Sequence, residues 1–261
     1  MRSVTDPGPW LRAVRRSHDQ LAGLVSGLDA AGVQRQSFAR DWTIAQVLSH
    51  LGSQAEIFGL FLDAGLTGGE PPPQSAFGPV WDTWNARTPQ SQARESVAAN
   101  EALVARLESL SPGELAGFRL ALFGMDLDAA GLLRMRLSEH ALHTWDVAVA
   151  LDPAARVAPD AVELLIGGLG EVAARTGVTS PSPAVITVTT TSPAREFTLD
   201  TGGVRLIPRD DGAATSASLE LTAEALLRLV YGRLNEPGIA PGEARAENVS
   251  LVDLEAVFPG F

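Results

Sequence analysis

The spacing of apolar residues differs between two parts of the chain: it is helical throughout the first part, and the second part adds short β-branched runs. Up to Leu151 the apolar residues recur at intervals of three, four and seven, whereas from Ala184 onward runs such as AVITVTTT are typical of strands. The change lies close to Pro153. We therefore predict two domains, residues 1–152 and 153–261, because a chain of 261 residues is long enough for two separate cores.

The N-terminal part is predicted to be a four-helix bundle. The helical period covers residues 10–28, 43–64, 91–110 and 129–150. Asp41, Trp42 and Thr43 form a plausible cap for the second helix, and the glycine- and proline-rich residues 65–79 are predicted to be a loop. Four long helices with one long connection are typical of a bundle.

The C-terminal part is predicted to be a small α+β domain. A helix over residues 160–175 is expected to be interrupted by the GGLGE of residues 167–171. Strands are predicted for residues 184–191, 195–201, 204–208 and 216–222, followed by a helix over residues 223–231. The short connections favour an antiparallel meander. The predicted fold class is therefore α plus α+β.

Composition excludes several classes of partner and chemistry. The net charge of −11 is spread along the chain, so nucleic acid is not an expected ligand. No run has the roughly 20 apolar residues of a membrane span, and the N-terminus lacks the apolar core of a signal peptide, so we expect a cytoplasmic protein without a membrane partner. With no cysteine, any thiol chemistry must use a thiol from outside the chain.

The segment SEHALHTWD, residues 138–146, concentrates polar side chains on a predicted helix. Glu139 and His143 are four residues apart and therefore project from the same face, a spacing that suits two ligands of one metal ion. His50 lies partly inward on the second predicted helix, and bundle metal sites combine inward Glu and His from different helices. Two His and one Glu would leave a fourth position open, as in catalytic zinc sites. The spacing alone also allows a surface Glu–His pair and a core histidine at position 50.

The neighbouring polar residues receive separate predictions. Asp146 either orients the His143 imidazole or is solvated on the helix surface. His140 points about 100° away from Glu139 and is expected to lie outside the site. His18, in the charged sequence RRSHDQ, is predicted to be solvated.

Two of these segments resemble motifs of a known family. DWTIAQVLSHL (residues 41–51) and SEHALHTWDVAVAL (residues 138–151) are similar to the two metal-binding helices of DinB-like thiol enzymes. Their order and the following α+β region resemble the mycothiol-dependent maleylpyruvate isomerase-like proteins of actinobacteria. That resemblance covers essentially the whole chain, with a sterol-carrier-like C-terminal domain, and implies His50, Glu139 and His143 as ligands of Zn²⁺ or another divalent metal.

The resemblance also implies a chemistry. Mycothiol would be the cofactor that supplies the thiolate, a small-molecule electrophile or carboxylate would be the substrate, and maleylpyruvate-like cis-trans isomerisation would be the reaction. LLRLVYGRL (residues 226–234) resembles a C-terminal family helix and makes Arg233 the candidate catalytic residue that holds a substrate carboxylate, although arginine is also common at helix C-termini. The alternatives are a mycothiol S-transferase and a non-catalytic binding or regulatory protein with a structural metal.

Overall fold

The chain forms two compact units in the computed structural model, which describes residues 6–39, 41–210, 212, 214–234 and 243–260. The units are Met1–Ala161 and Val162–Phe261. The domain boundary expected after residue 152 follows closely on the end of the last long helix at Leu151 and stays a prediction. Within the described residues, no helix is long and apolar enough to cross a membrane.

Four long helices make up most of the N-terminal unit. They are α1 (Gly8–Ser26), α2 (Ile44–Thr67), α4 (Pro89–Glu108) and α6 (Ala129–Leu151). Helix α2 packs on α4 and α6, and α1 packs on α6 and α4, so the four helices close around a common core. The helical bundle and its four predicted helices are confirmed.

Shorter elements connect the long helices. They are α3 (Phe77–Asn85), α5 (Pro112–Gly117) and a hairpin of β1 (Leu120–Leu122) and β2 (Met125–Leu127). The loop predicted for residues 65–79 was wrong at both ends, because α2 continues to Thr67 and α3 begins at Phe77. Pro79 falls in the first turn of α3, where the missing N–H of proline has no helical partner to lose.

Helix α2 begins at a capping box that the sequence only partly indicates. The Thr43 hydroxyl accepts a hydrogen bond from the Gln46 backbone N–H at 3.3 Å, and the Gln46 side chain accepts one from the Thr43 N–H at 2.8 Å. Two otherwise unpaired backbone donors are thereby satisfied. The cap predicted near residues 41–43 is confirmed at Thr43, and it fixes the start of the helix that carries His50.

The helices of the second sequence region are broken where the glycines occur. Helix α7 (Pro159–Leu165) is followed by a 3-10 turn, Ile166–Gly168, and then by α8 (Leu169–Thr176). The predicted interruption is confirmed.

A five-stranded sheet forms the core of the C-terminal unit. Its strands are β3 (Val185–Thr191), β4 (Arg195–Asp200), β5 (Arg205–Pro208), β6 (Ala217–Thr222) and β7 (Ala244–Glu247), in the order β5-β4-β3-β6-β7. Helices α9 (Ala223–Val230) and α10 (Leu251–Val257) complete the unit. The predicted α+β class is confirmed.

One strand pairing differs from the predicted antiparallel meander. Strands β3, β4 and β5 pair antiparallel as expected, but β6 lies beside β3 in parallel, with Ile186 opposite Ala217. The chain leaves β5, crosses back and enters the sheet at the free edge of β3 in the same direction as β3. The short spacing between β5 and β6 does not reveal this crossing, so the sheet is mixed and mainly antiparallel.

Candidate metal centre

His50, Glu139 and His143 come together between α2 and α6. One possible ligand atom from each residue lies within 4.8 Å of the others. His50 Nε2 is 3.2 Å from Glu139 Oε2, and His143 Nε2 is 3.8 Å from the same oxygen. Two residues one helical turn apart on α6 thus meet a third residue, 89 positions earlier, on the packed helix.

The cluster is bordered by an indole and remains open to solvent. The Trp42 ring lies 5.2 Å from the His50 ring and 6.0 Å from the His143 ring, measured between centroids. The side chains of His50, Glu139 and His143 keep 21%, 39% and 12% of their exposure. Part of each side chain is therefore accessible to solvent, while Trp42 covers one side of the cluster.

Asp146 orients His143. Its Oδ2 lies 2.8 Å from His143 Nδ1, and the Asp146 side chain is fully buried. Because an imidazole Nδ1–H donates to a carboxylate in this arrangement, Nε2 keeps its lone pair on the side of Glu139. Of the two roles that the sequence leaves open for Asp146, the structure supports the orienting one.

The electrostatic environment favours the protonation states that bind metals. Burial lowers the pKa of His50, although the nearby Glu139 opposes this. Burial raises the pKa of Glu139, but the hydrogen bond from His50, the neighbouring imidazoles and the charge of Arg136 outweigh it and lower the pKa to about 2. At neutral pH, His50 is therefore a neutral imidazole and Glu139 a carboxylate.

This donor set suits a divalent metal ion. It offers two imidazole nitrogens and one carboxylate oxygen, which are the ligands that zinc takes in catalytic sites, and such sites leave a further position for water or substrate. The structure places the three residues close enough to share one ion. The donors suit zinc without excluding other divalent transition metals.

The other two histidines lie away from the cluster. His140 is fully buried, and its Nδ1 contacts Ser17 Oγ at 2.8 Å, so the prediction that it lies outside the site is confirmed. The prediction of a solvated His18 was wrong: the residue is 2% exposed, and Nε2 lies 2.9 Å from Glu101 Oε2. Its position four residues after Val14 and three before Leu21, on the apolar stripe of α1, is the signal that could have revealed its burial.

Arg233 lies just after α9 in the C-terminal unit. Its side chain is half-buried, and Nη1 donates to the Tyr231 carbonyl oxygen at 3.0 Å. Its backbone N–H donates to the Arg228 carbonyl oxygen at 2.7 Å. The role of Arg233 toward a substrate carboxylate stays a prediction.

Sequence reasoning missed one buried charge near the cluster. Arg136 lies one turn before Glu139 on α6 and is only 1% exposed. The spacing of three residues from Glu139 was a usable signal, because it places both residues on one side of the helix.

A known protein family matches the part of the chain that carries the cluster. Residues 14–148, just over half of the chain, match the family described as the mycothiol maleylpyruvate isomerase N-terminal domain. The chain belongs to this family. His50, Glu139 and His143 all lie inside the matched residues of the mycothiol maleylpyruvate isomerase family domain.

Solved structures show the same fold over nearly the whole chain. A mycothiol-dependent maleylpyruvate isomerase superposes with a TM-score of 0.69 at 13% identity, with 93% of each chain covered. A histidine-to-alanine mutant of a mycothiol-dependent maleylpyruvate isomerase gives a TM-score of 0.69 at 12% identity, again with 93% coverage of both chains. A search of curated protein sequences finds no match.

Proposed function

We propose that this protein is a metal-dependent enzyme that uses mycothiol to isomerise a cis alkene of the maleylpyruvate type. The observation that carries the proposal is the solvent-reachable cluster of His50, Glu139 and His143 within a mycothiol-family domain. The chain has no cysteine, so the thiol must come from a second molecule.

The chain's own residues would hold and shape the centre. His50 presents a neutral imidazole, Glu139 presents a carboxylate, and Asp146 keeps the Nε2 lone pair of His143 directed toward them. Trp42 bounds the space beside both imidazoles. A bound zinc ion would supply positive charge that lowers the pKa of a thiol and favours its thiolate form.

The proposed reaction balances without an oxidant or reductant. Addition of the mycothiol thiolate to one alkene carbon would convert the double bond into a single bond that can rotate, and the displaced electron pair would move onto the conjugated carbonyl oxygen as an enolate. Return of that electron pair would restore the double bond in the trans form and release the thiolate unchanged. We assign Arg233 to the substrate carboxylate, since a guanidinium binds a carboxylate through two parallel hydrogen bonds.

The test combines metal analysis with a mycothiol assay on maleylpyruvate and on a generic electrophile. Stoichiometric metal and turnover with a constant thiol concentration are expected. Loss of thiol with formation of a stable thioether would instead identify an S-transferase. A protein that binds metal but turns over neither compound would be a binding protein with a structural metal.

A pair of histidine variants tests the residues. His50→Ala should lose both metal and activity, because two remaining ligands hold a metal poorly. His18→Gln is the matched control, since His18 is a buried histidine of the same bundle outside the cluster. Full activity of His50→Ala would exclude the proposed site.

A further inference from the structure

Arg136 is a buried cation beside the metal centre. It lies three residues before Glu139 on α6, so the two side chains share one side of the helix. Only 1% of the residue is exposed, which is rare for an arginine.

Among the described residues, the hydrogen-bond partner of the guanidinium is an amide and not a carboxylate. Its Nη2 donates to Asn100 Oδ1, and its carbon lies 5.4 Å from the centroid of the Phe58 ring. The Asn100 amide nitrogen donates to the carbonyl oxygens of Ser96 at 2.8 Å and Leu51 at 3.3 Å, so the Asn100 oxygen is left to face Arg136. In the part of the chain that the structure describes, Arg136 Nε and Nη1 have no hydrogen-bond partner.

The buried charge of Arg136 therefore has no direct ion pair with a carboxylate of the described residues. Burial lowers the pKa of this guanidinium to about 10, while Glu139 opposes the shift, so the group stays cationic at neutral pH. Its place about one helical turn before Glu139 brings this charge to the side of α6 that carries the cluster. A buried, poorly screened charge acts over a longer range than a surface charge.

The charged groups at and beside the cluster are two carboxylates and one buried cation. The carboxylates of Glu139 and Asp146 together carry two negative charges, enough to neutralise a divalent ion. We propose that Arg136 is a positioning residue whose buried cation, anchored by Asn100, keeps the loaded centre electropositive and so favours an anionic sulfur over neutral water. This inference rests on the proposed metal-dependent function. It predicts that the wild-type protein binds the metal less tightly than a variant that lacks the Arg136 charge.

The test measures the affinity of the protein for Zn²⁺ by competition with a chelator. In Arg136→Met the metal should bind about tenfold more tightly or better, because a nearby positive charge has been removed. Arg136→Lys keeps the charge and should stay close to the wild-type affinity. Arg134→Met is the matched control: it removes a half-buried arginine of the same helix and should also leave the affinity unchanged.

A second readout separates an electrostatic role from a structural one. Loading the protein with Co²⁺ and titrating it with mercaptoethanol gives the pH midpoint at which the sulfur-to-cobalt absorption band appears, and this midpoint should rise in Arg136→Met. Asn100→Asp places a carboxylate against the guanidinium and should shift both readouts in the same direction as Arg136→Met. This second variant keeps the test available if Arg136→Met does not fold.

The outcomes distinguish the two proposals. Equal or weaker Zn²⁺ binding by folded Arg136→Met, or by Asn100→Asp if only that variant folds, would overturn the role of Arg136 and leave the metal site standing. Weakened binding in both the Met and Lys variants would identify a purely structural arginine and would also overturn it. A wild-type protein that binds no divalent metal would overturn the metal site and this inference together.

Discussion

Asp146 decides which nitrogen of His143 faces the metal centre. Its buried carboxylate accepts a hydrogen bond from Nδ1, so Nε2 is left as the ligand atom. An imidazole in this state needs neither rotation nor a change of tautomer before it binds a metal. Hydrogen-bond partners of metal ligands contribute strongly to the affinity of a metal site.

Replacing this partner gives the first prediction. Asp146→Asn should weaken metal affinity by about 10–100-fold, because an amide holds the imidazole less firmly and carries no charge. Chelator competition with the purified protein measures the change. Asp152→Asn, an exposed position just after the same helix, should leave the affinity unchanged. If both variants bind metal equally well, Asp146 does not support His143.

The residues of the cluster were predictable to different degrees. Glu139 and His143 follow from helical spacing alone, because four residues bring side chains to one face whatever the tertiary structure. Their meeting with His50 depends on how α2 packs on α6, which the family resemblance supplied. The burial of His18 has a local signal in its place on the apolar stripe of α1, whereas the burial of Arg136 depends on how α2 and α4 pack over α6.

Helix α3 packs closely against α2 because Gly52 has no side chain. A Cβ added at Gly52 would lie 2.2 Å from the Trp84 ring, and Trp84 is 1% exposed. The Trp84 indole N–H also donates to Glu56 Oε1 at 2.8 Å, which fixes the ring against α2. This packing explains why a helix forms at the end of a stretch that reads as a loop.

Two glycine variants on α2 test this contact. Gly52→Ala should lower the free energy of unfolding by about 1–3 kcal/mol, because the new methyl group overlaps the buried indole. Gly59→Ala has no atom within 4 Å of its added Cβ and should raise the free energy of unfolding by up to about 1 kcal/mol through helix propensity. Urea unfolding of both variants measures the difference. An equal effect of the two substitutions would contradict the close packing of Trp84.

The spacing of apolar residues predicted most of the helices and strands. The four long helices and the first four sheet strands follow from periods of 3.6 and 2 residues. The parallel placement of β6 beside β3 does not, because the apolar alternation of a strand is the same in either direction. Strand β7 escaped prediction for a different reason, because residues Ala244–Glu247 include no β-branched side chain.

Across the bundle, the core contains an unusual set of neutral imidazoles. His18 and His140 lie 6.2 Å apart between ring centroids, at the meeting of α1 and α6, and both are buried. His18 also binds Glu101 of α4, which joins a third helix to this polar interior. Protonation of these rings should therefore destabilise the folded bundle.

The pH dependence of stability follows from this burial. Burial lowers the pKa of His18, with the Glu101 charge opposing, and lowers that of His140 well below its usual value. Below pH ~6.5 the unfolded chain therefore takes up protons that the folded chain refuses, so the free energy of unfolding falls as the pH falls. Each such histidine contributes a slope of up to about 1.4 kcal/mol per pH unit.

Urea unfolding of chelator-treated protein between pH 7.5 and 5.5 measures this slope before most carboxylates titrate. The wild-type protein should lose stability steadily below pH ~6.5. His18→Gln should show a shallower loss, because it removes one histidine whose pKa is lower in the folded than in the unfolded chain. Chelation matters, since a metal bound to the folded state would add its own pH dependence through His50. A flat profile for the wild-type protein would contradict the lowered pKa values of the two buried histidines.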